Sequence, residues 1–92
     1  MANVTPQAYR NMIGALDKFI RSMQTDAEYL TKSAAILHNG MNGDTISSRL
    51  KIRVDRSAKE IGDLCASAEN FKKALEEELE MILEALRHSD SE

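Results

Sequence analysis

The apolar residues of this chain recur at alternating steps of three and four along almost its whole length. In the first half the repeat comprises Tyr9, Met12 or Ile13, Leu16, Phe19 or Ile20, Met23, Ala27, Leu30, Ala34 and Leu37. In the second half it comprises Ile46, Leu50, Val54, Ala58, Ile61, Leu64 or Cys65, Ala68, Phe71, Leu75, Leu79, Ile82 or Leu83, and Leu86. This spacing places side chains on one side of an α-helix. The sequence therefore predicts an all-α fold of two long helices.

One short segment rich in glycine and asparagine separates the two repeats. It comprises His38, Asn39, Gly40, Met41, Asn42, Gly43 and Asp44. Glycine and asparagine adopt the left-handed conformations that close helices, and Asp44 or Thr45 is a typical cap for the next helix. Thr5 followed by Pro6 is typical of a helix start. We expect one domain, with helix one at about 6–38, a turn at 39–44, helix two at about 45–87 and a short polar tail at 88–92.

A connection this short predicts an antiparallel hairpin. A turn centred between Met41 and Asn42 would pair residues whose numbers sum to about 83. Phe19 would then lie opposite Leu64, and Met12 opposite Phe71. Helix one would end opposite residue 77, so helix two would project beyond it from Glu78 to Arg87.

The apolar stripe is too extensive for a hairpin to bury by itself. A chain of 92 residues with no Trp, two Phe and two Tyr builds a thin core. We expect a helical protein or a second copy of the chain to cover the stripe and complete a four-helix bundle or a similar assembly. The predicted interface comprises Met12, Leu16, Phe19, Met23, Leu64, Phe71, Leu75, Leu79, Ile82, Leu83 and Leu86.

The residue pattern predicts neither an enzyme nor a cofactor or metal site. His38 lies beside the turn and His88 near the far tip of helix two, so the hairpin would separate the two histidines. The segment "GMNGDT" lacks the lysine and the preceding strand of a phosphate-binding loop. Cys65 is the single cysteine, which allows no disulfide within the chain.

The charge distribution favours a protein partner over nucleic acid. Arg49, Arg53 and Arg56 share one helix face, but Asp55 and Glu60 interleave with them, and the formal net charge is −3. Residues 1–43 and 44–68 each carry +1, whereas residues 69–92 carry −5. We therefore expect no nucleic-acid binding, and a solvated acidic helix surface near the C-terminus.

No apolar run reaches the length of a signal peptide or of a membrane span. We expect a cytoplasmic protein without a signal peptide for the general secretory route, and without membrane insertion.

The length, the paired helices and the Gly-containing turn near residue 40 resemble the WXG, or ESAT-type, helical hairpins of type VII (ESX) secretion systems. The family's Trp-x-Gly turn aligns with His38-Asn39-Gly40 or with Met41-Asn42-Gly43, and in both cases the glycine is present and the tryptophan is absent. With the first alignment Ile46 stands where many members carry an aromatic residue.

The family's second signature, Tyr-x-x-x-Asp/Glu, is also incomplete. Phe71 is followed four residues later by Leu75, and the first acid is Glu76. These departures are typical of the WXG-like accessory proteins of LXG toxins, which bind the toxin's helical N-terminal domain.

The resemblance implies a targeting factor, chaperone or co-secreted partner of a type VII effector, with an LXG N-terminal domain or a sister hairpin as the partner and export by that system. It implies a secretion-signal region at Phe71, Leu75, Glu76, Leu79 and Glu80. The alternative is a cytoplasmic homodimeric four-helix bundle that acts as a regulator or assembly module.

Overall fold

The computed structural model describes residues 5–90 of the chain, which form two antiparallel α-helices. Helix α1 spans Pro6–Gly40 and helix α2 spans Thr45–Asp90. The molecule is a rod of 73 × 21 × 14 Å. Its smallest dimension is close to the diameter of one helix with its side chains, so the hairpin is a single layer thick. The predicted all-α antiparallel hairpin is confirmed.

Helix α1 begins where the Thr5-Pro6 pair places its start. The Thr5 hydroxyl accepts a hydrogen bond from the Ala8 N–H at 3.2 Å, which satisfies one of the free donors of the first turn. Pro6 occupies the first helical position. A backbone N–H at this position has no acceptor within the helix, so the missing N–H of proline costs nothing.

Both helices end within three residues of the expected positions. Helix α1 continues through Asn39 to Gly40, against about 38, and helix α2 reaches Asp90, against about 87. Residues 88–90 are therefore helical, and the rest of the predicted tail lies outside the described residues. Glycine at the last helical position is tolerated because the left-handed residues come later in the turn.

The core between the helices is small and contains short side chains. Ile20, Cys65 and Ala68 form its buried centre, and Leu16, Met23 and Ile61 pack against them. The Cys65 thiol lies 3.9 Å from the Ile20 carbonyl oxygen, to which it donates. Among the described residues no large side chain is fully buried. A core of this size contributes little toward the entropy cost of ordering two long helices.

The contacts that cross the hairpin have number sums somewhat above the expected value of about 83. Ile20 with Cys65 and His38 with Ser47 each sum to 85. Tyr9 with Glu78 sums to 87, and Asp17 with Lys72 sums to 89. The opposition of Phe19 to Leu64 and of Met12 to Phe71 stays a prediction.

The predicted projection of helix α2 is present but begins later than Glu78. Tyr9 reaches Glu78, so the first turn of helix α1 lies beside residues 78–81 and Leu79 is within the paired part of the hairpin. Residues 82–90 of helix α2 extend past the described start of helix α1. We call residues 82–90 the overhang.

Candidate partner-binding surface

The seven-residue spacing of the core leaves the hairpin with two different faces. In helix α2 the positions that turn toward helix α1 include Ala58, Cys65 and Lys72, which are spaced in sevens. The residue immediately before each of these positions lies on one side of the interface between the helices. The next inward-facing position comes three residues later, and the residue after it lies on the other side. One side is apolar and the other is polar.

The apolar face combines side chains from both helices. We define the apolar face as Met12, Leu16, Phe19, Met23, Leu30 and Leu37 of helix α1 together with Leu50, Leu64, Phe71 and Leu75 of helix α2. Met12 and Leu75 line a common recess with Ala8 and Tyr9, which places the two edges on the same side of the hairpin. The repeat of sevens in Leu50, Leu64 and Phe71 is the sequence signal for this edge.

The large side chains of the apolar face are exposed to solvent. Phe19 is 38% exposed, Leu64 and Phe71 are each 49% exposed, and Met12 is 43% exposed. Leu16, Met23 and Leu75 are half-buried because they lie between this face and the core. A row of neighbouring apolar side chains with this exposure is typical of a protein-binding surface.

Leu30, Leu37 and Leu50 belong to the apolar face but are absent from the predicted interface. All three are exposed by more than two fifths. They are part of the apolar repeat, but periodicity alone does not separate a side chain between two helices from one beside them. Only the register shows that they point past the neighbouring helix.

The polar face lies on the opposite side of the hairpin. An open recess there is lined by polar and small residues that include Gln24, Ala58, Gly62 and Glu69. A Cβ added at Gly62 would meet nothing within 4 Å. The polar face can therefore stay exposed to solvent without a partner.

An ion pair between the helices marks the same polar side. Lys72 Nζ lies 3.2 Å from Asp17 Oδ1, and Asp17 also binds Arg21 at 2.9 Å. The hydrogen bond to Asp17 and the attraction of its charge raise the pKa of Lys72. The pair helps to hold the distal half of the hairpin in register.

Tyr9 connects the two helices near the start of helix α1. Its hydroxyl donates a hydrogen bond of 2.9 Å to Glu78 Oε2, and this bond raises the pKa of Tyr9 above its ordinary value. Tyr9 also lines a recess with Met81, Ile82 and Ala85. The ring therefore covers the base of the overhang.

The overhang exposes the rest of its apolar stripe. Leu86 is 50% exposed and Met81, just before the overhang, is 66% exposed, whereas Ile82 and Leu83 are half-buried. Arg87 and His88 both contact Glu84, at 3.5 and 3.1 Å.

The residues of the predicted secretion-signal region do not form one surface. Phe71 is exposed on the apolar face, and Leu75 and Leu79 are half-buried along the interface between the helices. Glu76 and Glu80 are exposed and one helical turn apart. The region therefore combines an apolar strip with an acidic edge.

The turn satisfies its own backbone groups. The Gly43 N–H bonds the His38 carbonyl oxygen at 2.9 Å, and the Asn42 N–H bonds the Asn39 carbonyl oxygen at 3.2 Å. These bonds form a Schellman motif, with left-handed φ angles of 56° at Asn42 and 68° at Gly43.

Asp44 caps helix α2 from the end of that motif. Its Oδ1 accepts a hydrogen bond of 2.7 Å from the Ser47 N–H. The hydrogen bonds from Ser47 and the nearby His38 lower the pKa of Asp44. The seven predicted turn residues thus act in helix closure and capping, as part of the hairpin.

The contact between His38 and Ser47 does not assemble a catalytic relay. The Ser47 Oγ lies 3.4 Å from His38 Nδ1, but Ser47 is only 2% exposed and donates to the Asp44 carbonyl oxygen. The Asp44 carboxylate binds the Ser47 backbone. Between residues 5 and 90 no group of three metal-binding side chains occurs.

The basic segment of helix α2 is partly neutralised. Lys51 bonds Asp55 at 2.7 Å, and Arg49, Arg53 and Arg56 are exposed. Neither helix contains a stretch long and apolar enough to cross a membrane within the part of the chain that the structure describes.

Comparison with known proteins does not assign the chain to a family. No protein-family model, curated protein sequence or solved structure matches it. The resemblance to WXG-like hairpins therefore stays a prediction.

Proposed function

We propose that this chain is a non-enzymatic helical hairpin that binds a helical protein partner through its apolar face. The observation that carries the proposal is the exposure of Phe19, Leu64 and Phe71 in a hairpin only one layer thick. A partner that lies along this face would add the missing second layer of a bundle.

The energetics support partner binding. Burial of apolar surface stabilises an assembly by roughly 25 cal/mol per Å², before the entropy costs of association. The small core around Ile20 and Cys65 supplies little of this within one hairpin. The apolar face therefore offers apolar surface whose burial against a partner would add stabilisation.

The finer proposal is a role in type VII secretion. In it the partner is the helical N-terminal domain of an LXG-type effector or a sister hairpin, and this chain acts as its targeting factor, chaperone or co-secreted partner. Support comes from the length, the turn position and the helical hairpin, together with the absence of the Trp from the turn.

Co-expression with the products of the neighbouring genes tests the proposal. We expect the chain to co-elute with a helical neighbour, and the double variant L64E/F71E to lose that neighbour. The variant A66E is the matched control, because Ala66 is exposed on the polar face. The proposal fails if the chain elutes as a stable folded monomer and binds no neighbouring gene product.

The alternative is a homodimeric four-helix bundle that acts as a cytoplasmic regulator or assembly module. The observation in its favour is that the apolar face takes similar apolar side chains from both helices, so two copies can pack face to face. Light scattering distinguishes the two: a stable homodimer that L64E/F71E converts to a monomer supports the alternative.

A further inference from the structure

The most exposed apolar side chains of the hairpin are concentrated near its turn. We define the turn end as residues 29–56, which comprise the turn and about three helical turns on each side of it. Four of the five most exposed large apolar side chains between residues 5 and 90 lie there: Ile46 at 75%, Ile36 at 73%, Tyr29 at 72% and Ile52 at 59%. Single exposed side chains of this kind are ordinary, but a group of them at one end of a rod indicates a contact surface.

The three isoleucines point in different directions around the turn end. Ile36 comes two residues after the buried Ala34, so it points away from helix α2. Ile52 points away from helix α1 in the same way, because the residue two positions later is half-buried. Ile46 comes directly before a buried position and points to one side. A single partner helix would contact only one of these directions, whereas lipid headgroups would surround the end of the rod and contact all of them.

The turn end also carries a net positive charge. It contains five basic and two acidic side chains, hence +3, which leaves −6 for the rest of the chain with its total of −3. Arg49, Arg53 and Arg56 are exposed, and none of them forms an ion pair within the part of the chain that the structure describes. Their guanidinium groups are therefore available to bind phosphate.

The apolar and basic side chains follow one another along the rod. Ile46, Ile36 and Ile52 lie about 2, 6 and 10 Å from the ends of their helices at the turn, and the three arginines lie about 6 to 17 Å from the same end. Helices at a membrane interface bury their apolar side chains about 5–10 Å into the boundary between headgroups and acyl chains. At that depth the isoleucines would reach the boundary, and the arginines would lie at the level of the lipid phosphates.

The turn can approach such a surface without unsatisfied backbone donors. The N–H groups of Asn42 and Gly43 already bond carbonyl oxygens of helix α1. Asp44 is the acidic residue nearest the turn, and its Oδ1 accepts a hydrogen bond from the Ser47 N–H. These bonds limit the cost of desolvating the turn.

We infer that the turn end docks end-on onto an anionic membrane surface. Ile36, Ile46 and Ile52 enter the boundary between headgroups and acyl chains, the arginines bind the lipid phosphates, and neither helix crosses the membrane. The opposite end of the rod does not compete, because anionic lipids repel its negative charge. Ile36, Ile52 and the arginines lie outside the apolar face, so this surface is separate from the one that binds the helical partner.

The test uses the full chain and vesicles of two compositions: phosphatidylcholine alone, and phosphatidylcholine with an equal amount of phosphatidylglycerol. Co-sedimentation should show at least about tenfold tighter binding to the anionic vesicles, with a difference that shrinks as salt is raised. Equal binding to both compositions, or binding to neither, would overturn the inference.

Charge variants locate the basic contact. We expect R49Q/R53Q/R56Q to lose at least about tenfold in affinity for the anionic vesicles. The matched control R10Q/K18Q/K73Q removes three positive charges at exposed positions farther from the turn. It should change the affinity less than about twofold. Equal effects would show attraction to net charge alone and contradict the inference. Circular dichroism confirms that each variant keeps its helix content.

Apolar variants locate the contact with the acyl chains. We expect I36S/I52S to weaken binding to the anionic vesicles at least about fivefold. The matched control M81S/L86S changes two exposed apolar side chains near the other end of the rod and should have little effect. The same loss in both pairs would count against docking by the turn end.

Tryptophan fluorescence tests the orientation of the rod. The chain has no Trp, so a single introduced one reports its own surroundings. On the anionic vesicles the emission of I36W should shift to shorter wavelength, and that of M81W should stay unchanged. A shift in both variants would show that the rod lies flat on the membrane and would overturn end-on docking.

Two other occupants of the turn end are tested with the same chain. Fluorescence anisotropy measures its binding to a labelled short DNA duplex and to a labelled acidic helical peptide. We expect both to bind more weakly than the anionic vesicles, since neither surrounds the isoleucines. Tighter binding of either one, lost in R49Q/R53Q/R56Q, would assign the arginines to nucleic acid or to a protein and overturn the inference.

Discussion

The two faces of the hairpin come from the same two helices but meet solvent in different ways. On the polar face, Gln24 and Gly62 line an open recess and Asp17 binds Lys72. On the apolar face, Phe19, Leu64 and Phe71 keep 38–49% of their surface exposed. The polar face therefore presents charges and small residues to water, whereas the apolar face presents large apolar side chains.

The largest effect should come from placing charge on the apolar face. We expect L64E/F71E to weaken assembly by more than about a hundredfold, because two desolvated carboxylates in an interface are costly. Sedimentation over a range of concentrations measures the change. The polar-face variant A66E should alter assembly less than about twofold. Equal effects of the two variants would break the comparison.

A core variant tests what lies between the faces. Ile20 is 3% exposed and contacts both Cys65 and Ala68 in the core cluster. We expect I20A to lower the free energy of unfolding by about 2–4 kcal/mol through loss of burial and formation of a cavity. Urea unfolding measures this at fixed protein concentration. An effect below that of a surface substitution would show that the apolar face, and not the small core, holds the helices together.

A substitution in the turn should lower the free energy of unfolding less than the core substitution I20A does. It should affect the two faces equally. Gly43 has a φ of +68°, and an added Cβ would lie 3.5 Å from the His38 ring, which is an ordinary contact. We expect G43A to cost about 1 kcal/mol in the free energy of unfolding, because alanine disfavours the left-handed conformation. Assembly by the folded protein should be unchanged. Loss of assembly in a folded G43A variant would assign the turn to the interface.

A substitution on the polar face should instead raise the free energy of unfolding. Gly62 lies within helix α2, and its added Cβ meets nothing. We expect G62A to raise the free energy of unfolding by about 0.5–1 kcal/mol, since alanine is the better helix former. Thermal unfolding measures the gain, and affinity for the apolar-face partner should stay constant. A reduced affinity would show that the partner also contacts the polar face.

The smallest effect concerns alkaline pH at the distal end. The pKa of Tyr9 is raised above 10.0 by its hydrogen bond to Glu78, so the bond stabilises the fold below that pH. Its contribution is lost as the pH rises through the raised pKa of the folded state. We expect Y9F to have a slightly lower melting temperature than the wild type near neutral pH. The difference should vanish at high pH, and a constant difference would contradict the assignment.

The Asp17–Lys72 pair also weakens as the pH rises. Its contribution is present below the ordinary Lys pKa of 10.5 and is lost above it, as the raised pKa of Lys72 is passed. The fall in the melting temperature of the wild type at alkaline pH should therefore persist in part in Y9F. K72M, which keeps the side-chain length, should reduce this remaining part.

Prediction from sequence was strongest where a local pattern was sufficient. The steps of three and four gave both helices, and Thr5-Pro6 marked the start of helix α1. The contacts between the helices have number sums of 85 to 89, above the expected value of about 83, because Asn39 and Gly40 continue helix α1 and the left-handed pair is Asn42 and Gly43. The sequence alone does not show whether a glycine continues a helix or adopts the left-handed conformation that ends it.

The candidate surface was predicted in part for the same reason. Phe19, Leu64 and Phe71 were expected at an interface, whereas Leu30, Leu37 and Leu50 were part of the apolar repeat but not of the predicted interface. Neighbouring positions on a helix differ by about 100° in direction. A small change in register therefore decides whether a side chain points between the helices or beside them.

Two amphipathic helices and a turn follow from local sequence, because helix periodicity, caps and left-handed residues act over a few neighbouring positions. The packing of the two helices is needed to show which residues meet across the hairpin, for example that Tyr9 reaches Glu78 and Lys72 reaches Asp17. These contacts join residues more than fifty positions apart, and their geometry depends on the register set at the turn.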